Sequence, residues 1–386
     1  MMRAALPVVG ALAVTGCFRP VIAPGDPCET GNNWCPEPLQ CIDQICRSAP
    51  VDGGGGDGTI PPETNVMFVT SGTFKIPTGA TPDETLAAAD LMCTNAAAGR
   101  WPGPFVAWLS TTAHSARSRL GTGRGWVRTD GMPFGDTIES ILDGVVYYPP
   151  LLDELAQPLA FVPRVLTNTK ITGAAPAPSS CADLTVADSS VSVAGIASAG
   201  TKTWTDVTDL PPLCSDANLH LYCFETDHST PVAAPQRPGN LAFVSAAMFS
   251  NQGGIAMADA TCQQEVAGSF ALIASATKSP YDRLVAAAGH APTKPFVRHD
   301  GVVVSADLQG HALSAPINLT LAGTYQDNTL VWFGAQALDL VGMPITTCND
   351  WLANGQGLTA ETTYSTFDAL LTQCDFPLAV YCVEAE

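Results

Sequence analysis

Basic residues are scarce in this 386-residue chain, with 17 Lys plus Arg against 36 Asp plus Glu and a formal charge of −19. Neutralising a phosphate backbone takes clustered cations, so nucleic acid is excluded as a partner. Charge of either sign is thin, at 14% of residues, where an ordinary soluble domain carries about 25%. Beyond the first residues no apolar stretch approaches the roughly 20 residues needed to span a bilayer. Catalytic signatures are missing as well: neither Gly-x-Ser-x-Gly nor His-Glu-x-x-His occurs. The six histidines, at 114, 220, 228, 290, 299 and 311, are scattered. No enzyme is expected. What is present is apolar, 46% of the chain, which excludes wholesale disorder. The length allows two or three domains.

Thirteen cysteines are too many for a reduced cytosolic protein without a metal pattern. The first stands at the end of an export signal. Residues 1–16 carry one charge, Arg3, and an apolar run from Ala4 to Gly16, too short to cross a membrane but suited to a signal peptide. The run closes on Val14-Thr15-Gly16-Cys17, which resembles a bacterial lipobox. That resemblance implies acylation of Cys17, a tether over 17–27 and a membrane partner reached through the lipid. It places the protein in the bacterial cell envelope, at the outer membrane.

Cys28, Cys35, Cys41 and Cys46 form a cysteine-rich module over 28–46, spaced by six, five and four residues. Zinc sites usually draw on close Cys-x-x-Cys pairs, and none occurs here, so zinc is the lesser alternative and two disulfides are expected. So short a segment cannot bury a core. Residues 47–64 follow as a Gly/Pro linker. Gly53, Gly55 and Gly58 match a dinucleotide fingerprint only formally, since no strand precedes and no helix follows.

From residue 65 the sequence repeats itself. Asn65-Val-Met-Phe-Val-Thr70 returns as Asn240-Leu-Ala-Phe-Val-Ser245, Ala89-Asp90-x-x-Cys93 as Ala258-Asp259-x-x-Cys262, and Arg119-Leu120 as Arg283-Leu284. Val127-Arg128-Thr-Asp130-Gly131 returns as Val297-Arg298-His-Asp300-Gly301, and Tyr222-Cys223 as Tyr381-Cys382. This is a tandem duplication, 65–226 and 240–386, joined by 227–239. Each copy has four cysteines: Cys93, Cys181, Cys214 and Cys223, then Cys262, Cys348, Cys374 and Cys382, with gaps of 88, 33 and 9 against 86, 26 and 8. Four cysteines permit three pairings, and spacing does not choose among them. Thr81-Pro82-Asp83-Glu84 predicts a capped helix running towards Gly99, with Leu86, Ala89 and Cys93 on one face. Asp90 and Asp259 are expected to bond a loop backbone or meet solvent.

An early strand, a cysteine-bearing helix, a loop-rich middle and a terminal Tyr-Cys resemble the C-type-lectin-like fold. Phe-Val-[Ser/Thr], Ala-Asp-x-x-Cys, Val-Arg-x-Asp-Gly and Cys348-Asn349-Asp350-Trp351 are similar to the bacterial endostatin-like domain of surface lipoproteins. The fold expectation is α+β, two tandem lectin-like domains after the disulfide-rich module. The resemblance implies nested pairing, Cys93 with Cys223, Cys181 with Cys214, Cys262 with Cys382 and Cys348 with Cys374. Copy one departs from the pattern at Cys181-Ala-Asp-Leu184, which leaves its second disulfide the less anchored. Calcium-binding loops of sugar-binding members are missing, and no set of six to eight oxygens can be assembled, so no cofactor and no metal are expected. The zinc histidines of animal endostatin have no counterpart near either domain start.

The candidate binding residues are Arg128, Asp130, Arg298, Asp300, Asn349, Asp350 and Trp351. For the Arg/Asp pairs the alternative is an Asp-Gly turn braced by its arginine. Trp204, Trp332 and Trp351 are expected in the core. Function is expected to be non-catalytic binding of an extracellular or envelope protein or glycan. The alternatives are a structural envelope component without a discrete site and an enzyme on a lectin-like fold.

Overall fold

The computed structural model describes residues 39–42, 45–48, 60–61, 63–159, 163–207, 211–250, 253–310, 312–367 and 370–385. The chain divides into two compact units between Asp52 and Gly53. In the first, β1 (Leu39–Ile42) and β2 (Ile45–Ser48) form an antiparallel hairpin with Cys41 opposite Cys46. The signal segment, Cys17, Cys28, Cys35 and the side chains of Cys41 and Cys46 lie outside the described residues. Among the described residues no helix is long and apolar enough to cross a membrane.

The second unit is mixed α+β, with several sheets, few helices and four disulfides. Its first half runs β3 (Asn65–Val69), α1 (Pro82–Ala97), β4 (Phe105–Ala107), α2 (Ala116–Arg119), β5 (Trp126–Val127), β6 (Pro133–Gly135), α3 (Ile138–Leu142), β7 (Arg164–Leu166), α4 (Cys181–Leu184), β8 (Ala194–Ile196) and β9 (Tyr222–Glu225). Its second half runs β10 (Asn240–Val244), α5 (Gly254–Gln263), β11 (Ser269–Ala271), α6 (Pro280–Ala288), β12 (Phe296–Val297) and β13 (Val303–Ser305). It continues with β14 (Leu330–Trp332), α7 (Cys348–Trp351), β15 (Gln356–Glu361), β16 (Leu370–Gln373) and β17 (Ala379–Glu384).

The two halves share a strand order. One sheet reads β4-β9-β3-β5-β6, and β11, β17, β10, β12 and β13 pair in the same sequence. Register agrees too: Phe68 lies opposite Cys223 and Phe243 opposite Cys382. In the second half β14, β15 and β16 continue the sheet from β17. In the first, β7 and β8 pair apart, joined to the β9 side by a single bridge from Val165 to His220.

The first helix forms as its sequence dictates. Thr81 caps α1 in a capping box with Glu84, Pro82 opens the helix, and Leu86, Ala89 and Cys93 are buried. Cys93 bonds Cys223 and Cys262 bonds Cys382, tying each first helix to its central strand. Cys181–Cys214 and Cys348–Cys374 complete a nested set in both halves. Trp204, Trp332 and Trp351 are fully buried.

Each second cysteine opens a one-turn helix of the wrong hand. Cys181, Ala182, Asp183 and Leu184 have φ of 55°, 48°, 60° and 65°, and Cys348, Asn349, Asp350 and Trp351 have 49°, 52°, 57° and 62°. A left-handed residue other than glycine costs about 1–2 kcal/mol. Three placements offset this. The cysteine enters its disulfide. The aspartate accepts a loop N–H, Thr112 on Asp183 at 2.9 Å and Ala276 on Asp350 at 2.7 Å. The fourth side chain, Leu184 or Trp351, drops into the core. Copy one, whose Cys-Ala-Asp-Leu departs from the pattern, therefore builds the same turn and the same bridge. Ala182→Gly is expected to raise the unfolding free energy by about 0.5–1 kcal/mol, relief of the left-handed cost exceeding glycine's added unfolded-state entropy. Urea denaturation checks it.

Candidate functional site

Arg128 and Arg298 follow parallel-paired short strands in matched positions, and Arg298 reaches across the seam between the halves. Arg128 binds Asp130 side-on through Nε and Nη2, donates to the carbonyl of Pro149 at 3.1 Å and stacks over Tyr148. Arg298 binds Asp300 at 3.2 and 2.7 Å, donates to Asn318 Oδ1 at 2.6 Å and to the Pro316 carbonyl at 3.3 Å, and stacks over Tyr325. Its Nη2 also reaches the carbonyl of Val146, in the other half, at 3.4 Å. Tyr148 returns the contact by accepting the N–H of Val303 at 3.1 Å. The Arg298 side chain is fully buried. Burial opposes the charge of Asp300, yet Arg298 and the Tyr325 hydroxyl hold its carboxyl below the ordinary carboxylate range. Arg128 and Asp130 brace a loop of their own half, while Arg298, paired with Asp300, also joins the halves.

The other three candidates sit on α7. Trp351 is core, its indole N–H donating to the Ala274 carbonyl at 2.8 Å. Asn349 is exposed. Asp350 faces a cleft of about 400 Å³ that also holds Asp259, Arg283, Lys278 and Ser275. The charges in that cleft are largely spent. Arg283 grips Asp259 with two bonds of 2.8 Å and donates to the carbonyls of Ala271 and Ile273. Arg119 does the same to Asp90, at 2.5 and 2.6 Å, with the carbonyls of Ala107 and Leu109. Asp90 and Asp259 also accept a strand N–H each, from Ala107 and Ala271. So the mid-helix aspartates bond backbone as expected, and each also carries an arginine that sequence reasoning left unpaired.

A different surface stands open. Of sixteen large hydrophobic residues exposed among the described residues, eight fall between Leu340 and Phe376. Leu340, Val341, Met343 and Ile345 line a groove of about 310 Å³ together with Leu371 of β16, Leu358 and Gly334. No charged side chain lines it. Ile345 is 71% exposed and Leu371 56%. The apolar rim is held rather than loose. The Met343 carbonyl accepts the N–H groups of Thr346 and Thr347, Gly342 donates to the Ser275 carbonyl at 2.8 Å, and Thr346 Oγ1 to that of Gly334 at 3.0 Å. Asn349 in α7 donates its N–H to Pro344 at 2.9 Å, so the left-handed turn anchors the rim from behind.

No model of a known protein family matches the chain, and no curated protein matches it. The site therefore rests on its own geometry. Sequence reasoning passed over the groove residues; the available signal was the apolar run Leu340-Val341-Gly342-Met343-Pro344-Ile345, which fits neither helix nor strand period.

Proposed function

We propose that this chain is a non-catalytic binding protein of the bacterial cell envelope, lipid-anchored at Cys17, with two tandem endostatin-like domains of C-type-lectin-like fold. Its partner is an extracellular or envelope protein, gripped by the groove of the second domain. The observation that carries this is the rigid, uncharged groove from Leu340 to Ile345 and Leu371. A protein side chain supplies the apolar area such a groove can take from water, at about 25 cal/mol per Å². A glycan needs convergent polar groups, and the lining offers Gln336, Thr346 and Gln356. Preformed loops also spare the ordering cost of binding.

The test is recovery of partners from envelope extracts with and without calcium. A saturable protein partner, recovered equally in both, supports the proposal. Calcium-dependent recovery of glycans points instead to sugar binding, and non-specific recovery alone to a structural envelope component.

A further inference from the structure

A second cluster lies where β9 leaves the first half's sheet. Glu225, its last residue, is 3% exposed, and its Oε2 accepts the N–H of Val66 at 2.9 Å, with the backbone N–H of Gly103 as a further donor. Glu384 occupies the matching place at the end of β17 and accepts the N–H of Leu241 at 2.9 Å. A glutamate thus closes the strand ends in both halves. In the first half more ligand-bearing residues gather beside it. Asp227 and His228 follow, and one ligand atom from each of Glu225, Asp227 and His228 lies within 4.8 Å of the others. In the second half Ala385 stands where Thr226 does and Glu386, outside the described residues, where Asp227 does.

Three independent observations point to a cation. The first is charge. A buried carboxylate wants a counter-ion, yet among the described residues neither Glu225 nor Asp227 pairs with lysine or arginine. Asp227 has the His228 ring at 3.4 Å. The second is space. A Cβ on Gly103 would lie 2.2 Å from Glu225 Oε1 and 2.8 Å from Asp227 Oδ1, whereas one on the matching Gly268 would meet nothing within 4 Å. The two carboxylates converge over a residue that has no side chain to part them. The third is preorganisation. Asn65 clamps the backbone of His228, accepting its N–H at 3.0 Å and donating to its carbonyl at 2.7 Å. The imidazole is positioned without spending its own nitrogens on that clamp.

We propose that Glu225, Asp227 and His228 bind one zinc-class divalent cation, with water as the fourth ligand. Two carboxylate oxygens and an imidazole nitrogen with one open position suit that ion. Donors about 2.0–2.2 Å from a tetrahedral ion stand roughly 3.3–3.5 Å apart. Asp227 and His228, at the surface, close that distance onto the fixed Glu225. The backbone N–H on Glu225 Oε2 then orients the ligating carboxylate from behind. The ion would fasten the segment that leads to the second half onto the sheet beside the start of β3.

Zinc titration into the metal-free, oxidised protein by calorimetry tests this, alongside Asp227→Asn and His228→Gln, surface changes that leave the Glu225 bond to Val66 in place. One saturable zinc per chain is expected, weakened at least about tenfold in each variant, with a zinc-dependent rise in melting temperature in the parent protein alone. Absence of saturable binding, or equal binding in parent and both variants, overturns the assignment. Saturation by calcium and not by zinc also overturns it, because an imidazole donor has no place on a hard all-oxygen ion.

Discussion

Replacing Cys93 and Cys223 together with alanine is expected to lower the unfolding free energy by about 4–5 kcal/mol. The bridge spans 130 residues of sequence, and a loop of that length confines the unfolded chain severely. Both sulfurs lie in the core, with Cys93 and Cys223 at 0% exposure. The shorter bridges, Cys181–Cys214 over 33 residues and Cys348–Cys374 over 26, should each contribute less, about 3–4 kcal/mol. Urea unfolding followed by fluorescence of the buried Trp108, Trp126 and Trp204 ranks them. A loss below about 2 kcal/mol for the long bridge would show that the unfolded chain already holds its ends close.

Arg298→Met is expected to cost about 3–5 kcal/mol, since it leaves the mostly buried Asp300 without its cation. Arg128→Met should cost less. Asp130 is 31% exposed as a side chain, against 19% for Asp300, and Arg128 makes no bond across the seam. The double change Arg298→Met with Asp300→Asn should recover part of the loss, because no bare charge remains. The pH dependence follows from the same pair. The Asp300 carboxyl is held below its ordinary value in the folded protein. Its stabilisation is therefore present above the unfolded value near 4 and lost as pH falls through the folded value. In Arg298→Met burial is opposed only by the Tyr325 hydroxyl and the Val302 N–H, so the carboxyl rises from its parent value and the loss on acidification shrinks. The gap between parent and variant should narrow as pH drops from about 7 to about 4. A gap that widens would show that Asp300 draws its stabilisation from elsewhere.

How far the sequence could be read divides by range. The repeat, the α1 capping box and the burial of Leu86, Ala89 and Cys93 follow from local chemistry and period, and all were legible. The Asp90–Arg119 and Asp259–Arg283 pairs were half legible. All four residues recur, yet nothing in a linear spacing of 29 or 24 residues says that two helices bring them together. The left-handed turns were not legible. Asn349 and Asp350 tolerate that conformation, but Ala182 and Leu184 have no preference for it, and tertiary placement of the cysteine and the core side chain imposes it. His228 lies 163 residues from Asn65 in sequence and against it in space. The groove escaped because composition does not tell an exposed leucine from a buried one. That Ile345 faces solvent is decided by hydrogen bonds of Met343, Gly342 and Thr346 that fix the loop, and Leu371 lies on β16, which among the described residues pairs only with β15.

The measurement closest to the central proposal is the affinity of the recovered protein partner for the parent chain and for the double variant Ile345→Asp, Leu371→Asp. Both changes lie on exposed side chains and should leave the melting temperature within a few degrees. Desolvating two carboxylates against an apolar partner should weaken binding at least about a hundredfold. Binding unchanged in a variant that melts like the parent would contradict the groove as the binding face.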